Sequence, residues 1–192
     1  MSVLVSFPTP EPISSREVLR FAGGEASPEL FSECIAEAKG KFSFKVCYTE
    51  LSVSVEGDVC DFGLFSVSSG ALAKNLRSCK RVLLFCATVG VGTDRLIAKY
   101  TRTAPSRALM LSALGSERIE ALCDAFCLEF AKERGVRLRP RFSPGYADLP
   151  LDIQRDIFSI LDPSRRIGVT LGERLLMTPT KSVTAFVGIE EN

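Results

Sequence analysis

Between Phe42 and Phe65 the hydrophobic period of the chain changes, and this limits the fold more than any other feature of the sequence. Phe42, Phe44 and Val46 alternate with polar residues, as do Leu51, Val53 and Val55, and a period of two places one face of a strand on a core. Glu56-Gly57-Asp58 reads as a turn, and Val59 to Phe65 as a returning strand, so an antiparallel hairpin or meander is expected. Helical spacing flanks this block on both sides.

Before the block, residues 1–12 read as a loose or strand-like lead-in. Ser14 and Glu17 have the spacing of a capping box, and Val18, Leu19 and Phe21 give a short helix its apolar side before Gly23-Gly24. Ser27-Pro28 is an N-cap followed by a first-turn proline. Leu30, Phe31, Cys34 and Ile35 then recur at helical spacing as far as Gly40.

After the block, Ser68 or Ser69 caps a helix through Leu76, and Val82-Leu83-Leu84-Phe85 has the continuous apolar run of a strand covered on both faces. The Thr88–Gly92 turn joins a strand to a helix that begins near Thr93. It lacks both the G-x-G-x-x-G spacing and a Gly-Lys-Ser/Thr ending, so it is read as a packing turn and not a phosphate cradle. From Thr93 to Gly135 the pattern is helical, broken at Pro105. Ile119, Leu122, Phe126 and Phe130 form its apolar stripe, with Glu120 and Asp124 one turn apart on another face. Val136 to Arg141 alternates as a strand with Arg137, Arg139 and Arg141 on one side, either a weak anion-binding edge or an edge strand protected by charge. Asp152 to Leu161 is a helix stopped by Asp162-Pro163. Ile167–Leu171 and Ser182–Ile189 read as two strands joined by Gly172 to Lys181. No linker long enough to separate domains is present, so residues 1–192 are expected to form a single domain.

Composition enters mainly by what it removes. The chain has no histidine, which excludes a self-contained hydrolase of Ser-His or Cys-His type. Its seven cysteines are scattered without a Cys-x-x-Cys pair and read as small buried apolar residues. Cys123 and Cys127, one turn apart, would supply at most half a metal site. A net charge of +1 gives no global pull toward nucleic acid or membrane. The start of the chain has no basic n-region, and no apolar run approaches the roughly 18 residues of a membrane helix. A cytoplasmic location is the simplest expectation.

The stretch with the most chemistry is RFSPGYADLP, residues 141–150. Pro144 fixes its own φ and pushes Ser143 toward an extended conformation. Gly145 can take a positive φ, Arg141 offers a planar fork suited to a carboxylate, and Tyr146 offers a ring face with a polar tip. An ordinary proline-rich surface loop is the alternative reading of the same residues.

Five stretches taken together carry a resemblance: EVLRFAG at 17–23, SSGALAKNLRSCKRVLLFCATVGVGTDRLI at 68–97, GSERIEALCD at 115–124, RFSPGYADLPLDIQRDIF at 141–158 and GVTLGERLLMTPTKSVTAFVG at 168–188. In this order they resemble the activation domain of cobalamin-dependent methionine synthase, in the form some bacteria make as a separate small protein. The resemblance implies an α+β domain, an antiparallel sheet with flanking helices, that binds S-adenosylmethionine. That molecule would re-methylate cobalamin after oxidation to its inactive cob(II) state, with an electron from a flavodoxin-like donor. The cobalamin would sit on a corrinoid-carrying partner domain or subunit whose own histidine ligates cobalt. This chain would then be a component of a methyltransferase and not a self-sufficient enzyme.

The same resemblance implies site residues. Arg141 would pair with the ligand carboxylate, Gly145 would offer close backbone hydrogen bonds, Tyr146 would lie against the ligand, and Ser143 would contribute its backbone. Asp124 lies near the family's helical acidic residue, whose role would be a hydrogen bond to the ligand, and Glu173 matches a family glutamate. Gly172 and Arg174 depart from the threonine and serine that flank that glutamate in the family. The chain also ends without a tail that carries a further ligand-contacting tyrosine. These departures motivate an alternative in which the chain is a non-catalytic partner or scaffold of a corrinoid methyltransferase.

Overall fold

The structure is a computed structural model that describes residues 2–24 and 27–190. Its centre is a five-stranded antiparallel sheet. In chain order its strands are β1 (Leu4–Ser6), β2 (Lys45–Ser52), β6 (Arg81–Thr88), β7 (Arg137–Leu138) and β10 (Ser182–Glu190), and across the sheet they lie in the order β1-β2-β6-β10-β7. β6 is the middle strand, with Cys47 opposite Cys86 on one side and Ala185 opposite Phe85 on the other. Its unbroken apolar run follows from that position. Leu84 and Cys86 enter one core, Leu83, Phe85 and Ala87 enter the other, and all are fully buried.

Each face of the sheet is covered. One side takes the C-terminal half of α5 (Pro105–Arg134), whose Ile119, Leu122, Phe126 and Phe130 pack against Leu83, Phe85 and Val187. Tyr48, Phe85 and Phe130 lie 5.0, 5.3 and 6.3 Å from the Phe126 ring, centroid to centroid. The other side takes α3 (Gly70–Leu76), α6 (Gln154–Leu161) and a separate small sheet of β3 (Ser54–Glu56), β4 (Val59–Asp61) and β5 (Ser66–Ser68). The N-terminal half of α5 instead meets α1 (Ser15–Ala22), α2 (Pro28–Ala38) and α4 (Val91–Tyr100) through Met110, Leu111 and Leu114. The architecture is therefore α+β, an antiparallel sheet with flanking helices.

The local start signals act as their chemistry requires. The hydroxyls of Ser14, Ser27 and Ser69 each accept a hydrogen bond from the backbone N–H three residues on. Gly23 ends α1 at φ +81°. The expected capping box is only half formed, because the Ser14 N–H donates to Glu117 of α5, not to Glu17. Pro105 opens α5, which runs for 30 residues. In the Thr88–Gly92 turn, a Cβ on Gly92 would lie 2.1 Å from the Lys41 carbonyl oxygen, so close backbone packing demands the glycine.

Several boundaries differ from the expectation. Phe42 and Phe44 precede β2, which runs unbroken through the polar residues Tyr48 to Glu50. The returning strand stops at Asp61, and a third short strand, β5, follows it. Of the expected strand at 167–171 only Thr170–Leu171 is strand, β8, which forms a hairpin with β9 (Met177–Thr178), while Ile167 is the last residue of a short helix, α7 (Pro163–Ile167). Asp162 takes φ +44° and ends α6, and Pro163 then opens α7: a single Asp-Pro pair both stops one helix and starts the next. Among the described residues no helix is long and apolar enough to cross a membrane.

Candidate functional site

The β10 edge of the sheet carries the 141–150 segment. The Arg139 N–H donates to the Gly188 carbonyl, and Phe142 and Phe186 exchange backbone hydrogen bonds of 2.9 Å in both directions. Phe142 is thereby fixed inward at 6 % exposure. The chain then turns away from the sheet. Tyr146 N–H donates to the Ser143 carbonyl, Gly145 N–H to Leu149, and Leu149 N–H to Tyr146. Gly145 holds φ +83°, a conformation that side-chain-bearing residues avoid. Tyr146 meets Phe142 edge to face at 5.3 Å yet remains 66 % exposed, so its ring is braced on one side and open on the other.

Asp148 ties this bend to the rest of the molecule. Its carboxylate accepts the Ser69 hydroxyl at 2.5 Å and the Gly70 N–H at 2.7 Å, at the start of α3. The Ser69 hydroxyl bond, and after it the backbone donors of Ala71 and Gly70, hold the Asp148 carboxyl below its usual pKa. Nothing in the local spacing of the sequence announces this contact, since its partners lie 79 and 78 residues apart.

Arg141 lies at the foot of the bend. Its Nη2 donates to Glu120 Oε2 at 2.7 Å and its Nη1 to Asp124 Oδ1, two carboxylates one turn apart on α5. Burial opposes the Arg141 charge, but the hydrogen bond to Asp124 and the surrounding anionic groups outweigh it and push the pKa up. Cys127, one turn beyond Cys123 on α5, is pushed up to about 11 by burial despite the nearby guanidinium, so it is held as a thiol. Among the described residues no group of metal-ligating side chains gathers here or elsewhere.

Arg141, Ser143 and Tyr146 line one cavity of about 670 Å³, together with Glu120, Arg139 and Cys127. Its volume lies in the range of small-molecule sites. Of the other residues singled out in the sequence, Gly145 shapes the bend from behind, where a Cβ would come 3.3 Å from Leu151. Asp124 reaches the cavity only through Arg141 and itself lines a neighbouring groove. Glu173 sits exposed in the β8–β9 turn and is not among the residues lining the cavity. In the arginine row, Arg139 pairs with Glu190 at 2.8 Å and Arg141 with the α5 carboxylates. The late TPTKSV stretch is an anchor. Thr180 donates both its N–H and its hydroxyl to Asp94, and Lys181 Nζ donates to Ser112 and Ser116. Glu120 is the residue whose place in the cavity the sequence reading passed over, having treated it as one charge on a helix face.

The family model described as "Vitamin B12 dependent methionine synthase, activation domain" matches residues 72–192, which include the Arg141–Pro150 bend and all of β10. The chain belongs to this activation-domain family. A crystal structure of the MetH reactivation domain bound to AdoHcy superposes with a TM-score of 0.69 at 13% identity, covering 98% of this chain and 78% of that one. At that identity the likeness is one of fold, and the activation-domain fold therefore extends through α1 and α2, which precede the matched residues. No curated protein matches the sequence.

Proposed function

We propose that this activation-domain chain binds S-adenosylmethionine in the cavity between Arg141 and Tyr146 and presents its methyl group to a cobalamin carried by a corrinoid protein. The observation that carries the reading is the convergence of Arg141, Ser143 and Tyr146 on one cavity, with the bend between them held by its own backbone bonds. The ligand has a carboxylate, an ammonium, a sulfonium and a flat adenine. A guanidinium, an aromatic face and the Glu120 carboxylate are the groups that such a molecule uses. The bound AdoHcy in the structural neighbour supports the choice of ligand class.

Cobalamin would supply the nucleophilic metal centre from the partner, and this chain, with no histidine, offers no imidazole to it. The contribution of the chain is positional: Arg141 orients the amino-acid end, Ser143 lines the cavity, Gly145 holds the bend from behind, and Tyr146 packs against the ligand. Asp124 and Glu120 set where the Arg141 fork points. A flavodoxin-like donor would supply the electron.

The occupied fork of Arg141 favours one second reading, a partner or scaffold that keeps the fold without binding ligand. The two are separated by the return of an oxidised corrinoid methyltransferase to its methylated form, followed in its visible spectrum with reduced flavodoxin as donor. Recovery that needs both this chain and S-adenosylmethionine supports the proposal. Association with the corrinoid protein, without ligand-dependent recovery, supports the scaffold.

A further inference from the structure

All seven cysteines are free thiols, and two of them oppose each other across a pair of strands. Cys47 of β2 and Cys86 of β6 are Cα partners in the antiparallel ladder, fully buried on the same face of the sheet. Directly opposed residues of such a ladder have Cα atoms roughly 4.5–5.5 Å apart, inside the roughly 4.4–6.8 Å that a disulfide spans. Their thiols already share a hydrogen bond. Thr184 of β10 lies opposite Cys86 on its other side, so the row Cys47–Cys86–Thr184 crosses three strands. The Thr184 hydroxyl is buried, at 2 % exposure, and has no hydrogen-bond partner. An unsatisfied hydroxyl beside two thiols leaves polar capacity in an otherwise apolar layer.

The pair also differs from the other five cysteines in its electrostatics. Burial raises the pKa of Cys34, Cys60, Cys79, Cys123 and Cys127, which keeps these thiols protonated and inert. The hydrogen bond from Cys86 lowers that of Cys47 despite burial, and the Arg166 guanidinium adds to the effect. Arg166 is itself held by its bond to the Val3 carbonyl, just before β1. Cys86 is pushed well up, first by its bond to Cys47 and then by burial, and keeps its proton. Cys47 is therefore the thiol set to attack, and Cys86 the one set to resolve the product.

We propose that Cys47 and Cys86 form a peroxide-sensitive pair that closes into a cross-strand disulfide and staples β2 to β6. The Cys47 thiolate attacks one oxygen of hydrogen peroxide, the O–O bond breaks, and the departing hydroxide takes up a proton to become water. Cys86 then attacks the Cys47 sulfenic acid, the S–S bond forms, and the sulfenic oxygen leaves as a second water with the Cys86 proton. Two thiols lose two electrons in all, and one peroxide is reduced to two waters. Complete burial admits an oxidant about the size of water and shuts out a bulky one such as glutathione disulfide. The pair lies on the face of the sheet opposite the C-terminal half of α5 and does not line the Arg141 cavity, so the proposal stands apart from the ligand reading.

The test uses the full chain, reduced, exposed to hydrogen peroxide in modest excess, then unfolded in an alkylating agent and mapped by peptide mass spectrometry. The expected product is one link, Cys47 to Cys86, that dithiothreitol removes, with the other five cysteines recovered alkylated. The melting temperature of the linked chain should rise by at least about 4 °C, because a disulfide restricts the unfolded state. In Cys86→Ala, peroxide should leave Cys47 as a sulfenic acid that dimedone traps on unfolding, whereas in Cys47→Ala, Cys86 should remain a thiol. Glutathione disulfide added to the folded wild type should form no link in the same time. Oxidation of another cysteine ahead of this pair, no link between the two, a link that leaves the melting temperature unchanged, or equal reaction with glutathione disulfide overturns the proposal. The wild-type peptide map decides the matter where a variant fails to fold.

Discussion

Asp148 and Ser69, 79 residues apart in the chain, lie 2.5 Å from each other, carboxylate to hydroxyl. Through this bond the mobile-looking Pro-Gly bend is tied to the start of α3, and α3 is in turn packed into the core by Leu72 and Leu76. The cavity beside Arg141 is therefore a property of the whole α3 side of the sheet and not of a free loop.

The bond makes a pH-dependent contribution. The Asp148 carboxyl is held below its usual pKa, so the unfolded chain binds its proton first as pH falls. Its stabilisation is complete above the unfolded value, about 3.9, and is lost as pH drops through the lower folded value. Asp148→Asn should lower the melting temperature at pH 7. The gap from wild type should close as melting curves are taken downward from pH 5 to pH 2.

Phe126→Ala removes a ring that joins α5 to the sheet through Tyr48, Phe85 and Phe130. A loss of about 3–5 kcal/mol is expected in urea unfolding, in line with large-to-small core changes.

Gly92→Ala tests the packing turn. The added methyl meets the Lys41 carbonyl, and the backbone has to move to admit it. Destabilisation of about 1–3 kcal/mol by chemical denaturation is expected, typical of overpacking. A neutral result would show that the turn has slack.

Sequence periodicity revealed the layers well, because burial on two faces or one leaves a direct mark on the residues. The uninterrupted Val82–Phe85 run marked the middle strand, and the Ile119–Phe130 stripe marked the face of α5 that meets it. Caps at Ser14, Ser27 and Ser69 were legible for the same reason, since their partners lie three residues away. Short elements were harder. α7 spans five residues and β8 two, lengths over which period and propensity carry little information: α7 was not foreseen, and the strand expected over 167–171 is only two residues long.

The site was legible as a set of residue types and less so as a geometry. Arg141, Ser143 and Tyr146 were singled out together and do share a cavity. That Arg141 is already engaged by Glu120 and Asp124, and that Asp148 holds the bend, depends on contacts across 17 to 79 residues. Tertiary packing alone decides such contacts.

The central claim is that the Arg141 fork recognises the carboxylate of S-adenosylmethionine. Arg141→Ala is also expected to leave the fold standing, because the pairs it breaks are partly exposed and worth little to stability. The most direct measurement is a calorimetric titration of S-adenosylmethionine into the wild type and into Arg141→Ala, with melting curves to confirm that both are folded. The account predicts saturable binding to the wild type and at least about tenfold weaker binding to the variant, about 1.4 kcal/mol or more. Equal affinity for the two folded proteins, or no binding to the wild type, would contradict it.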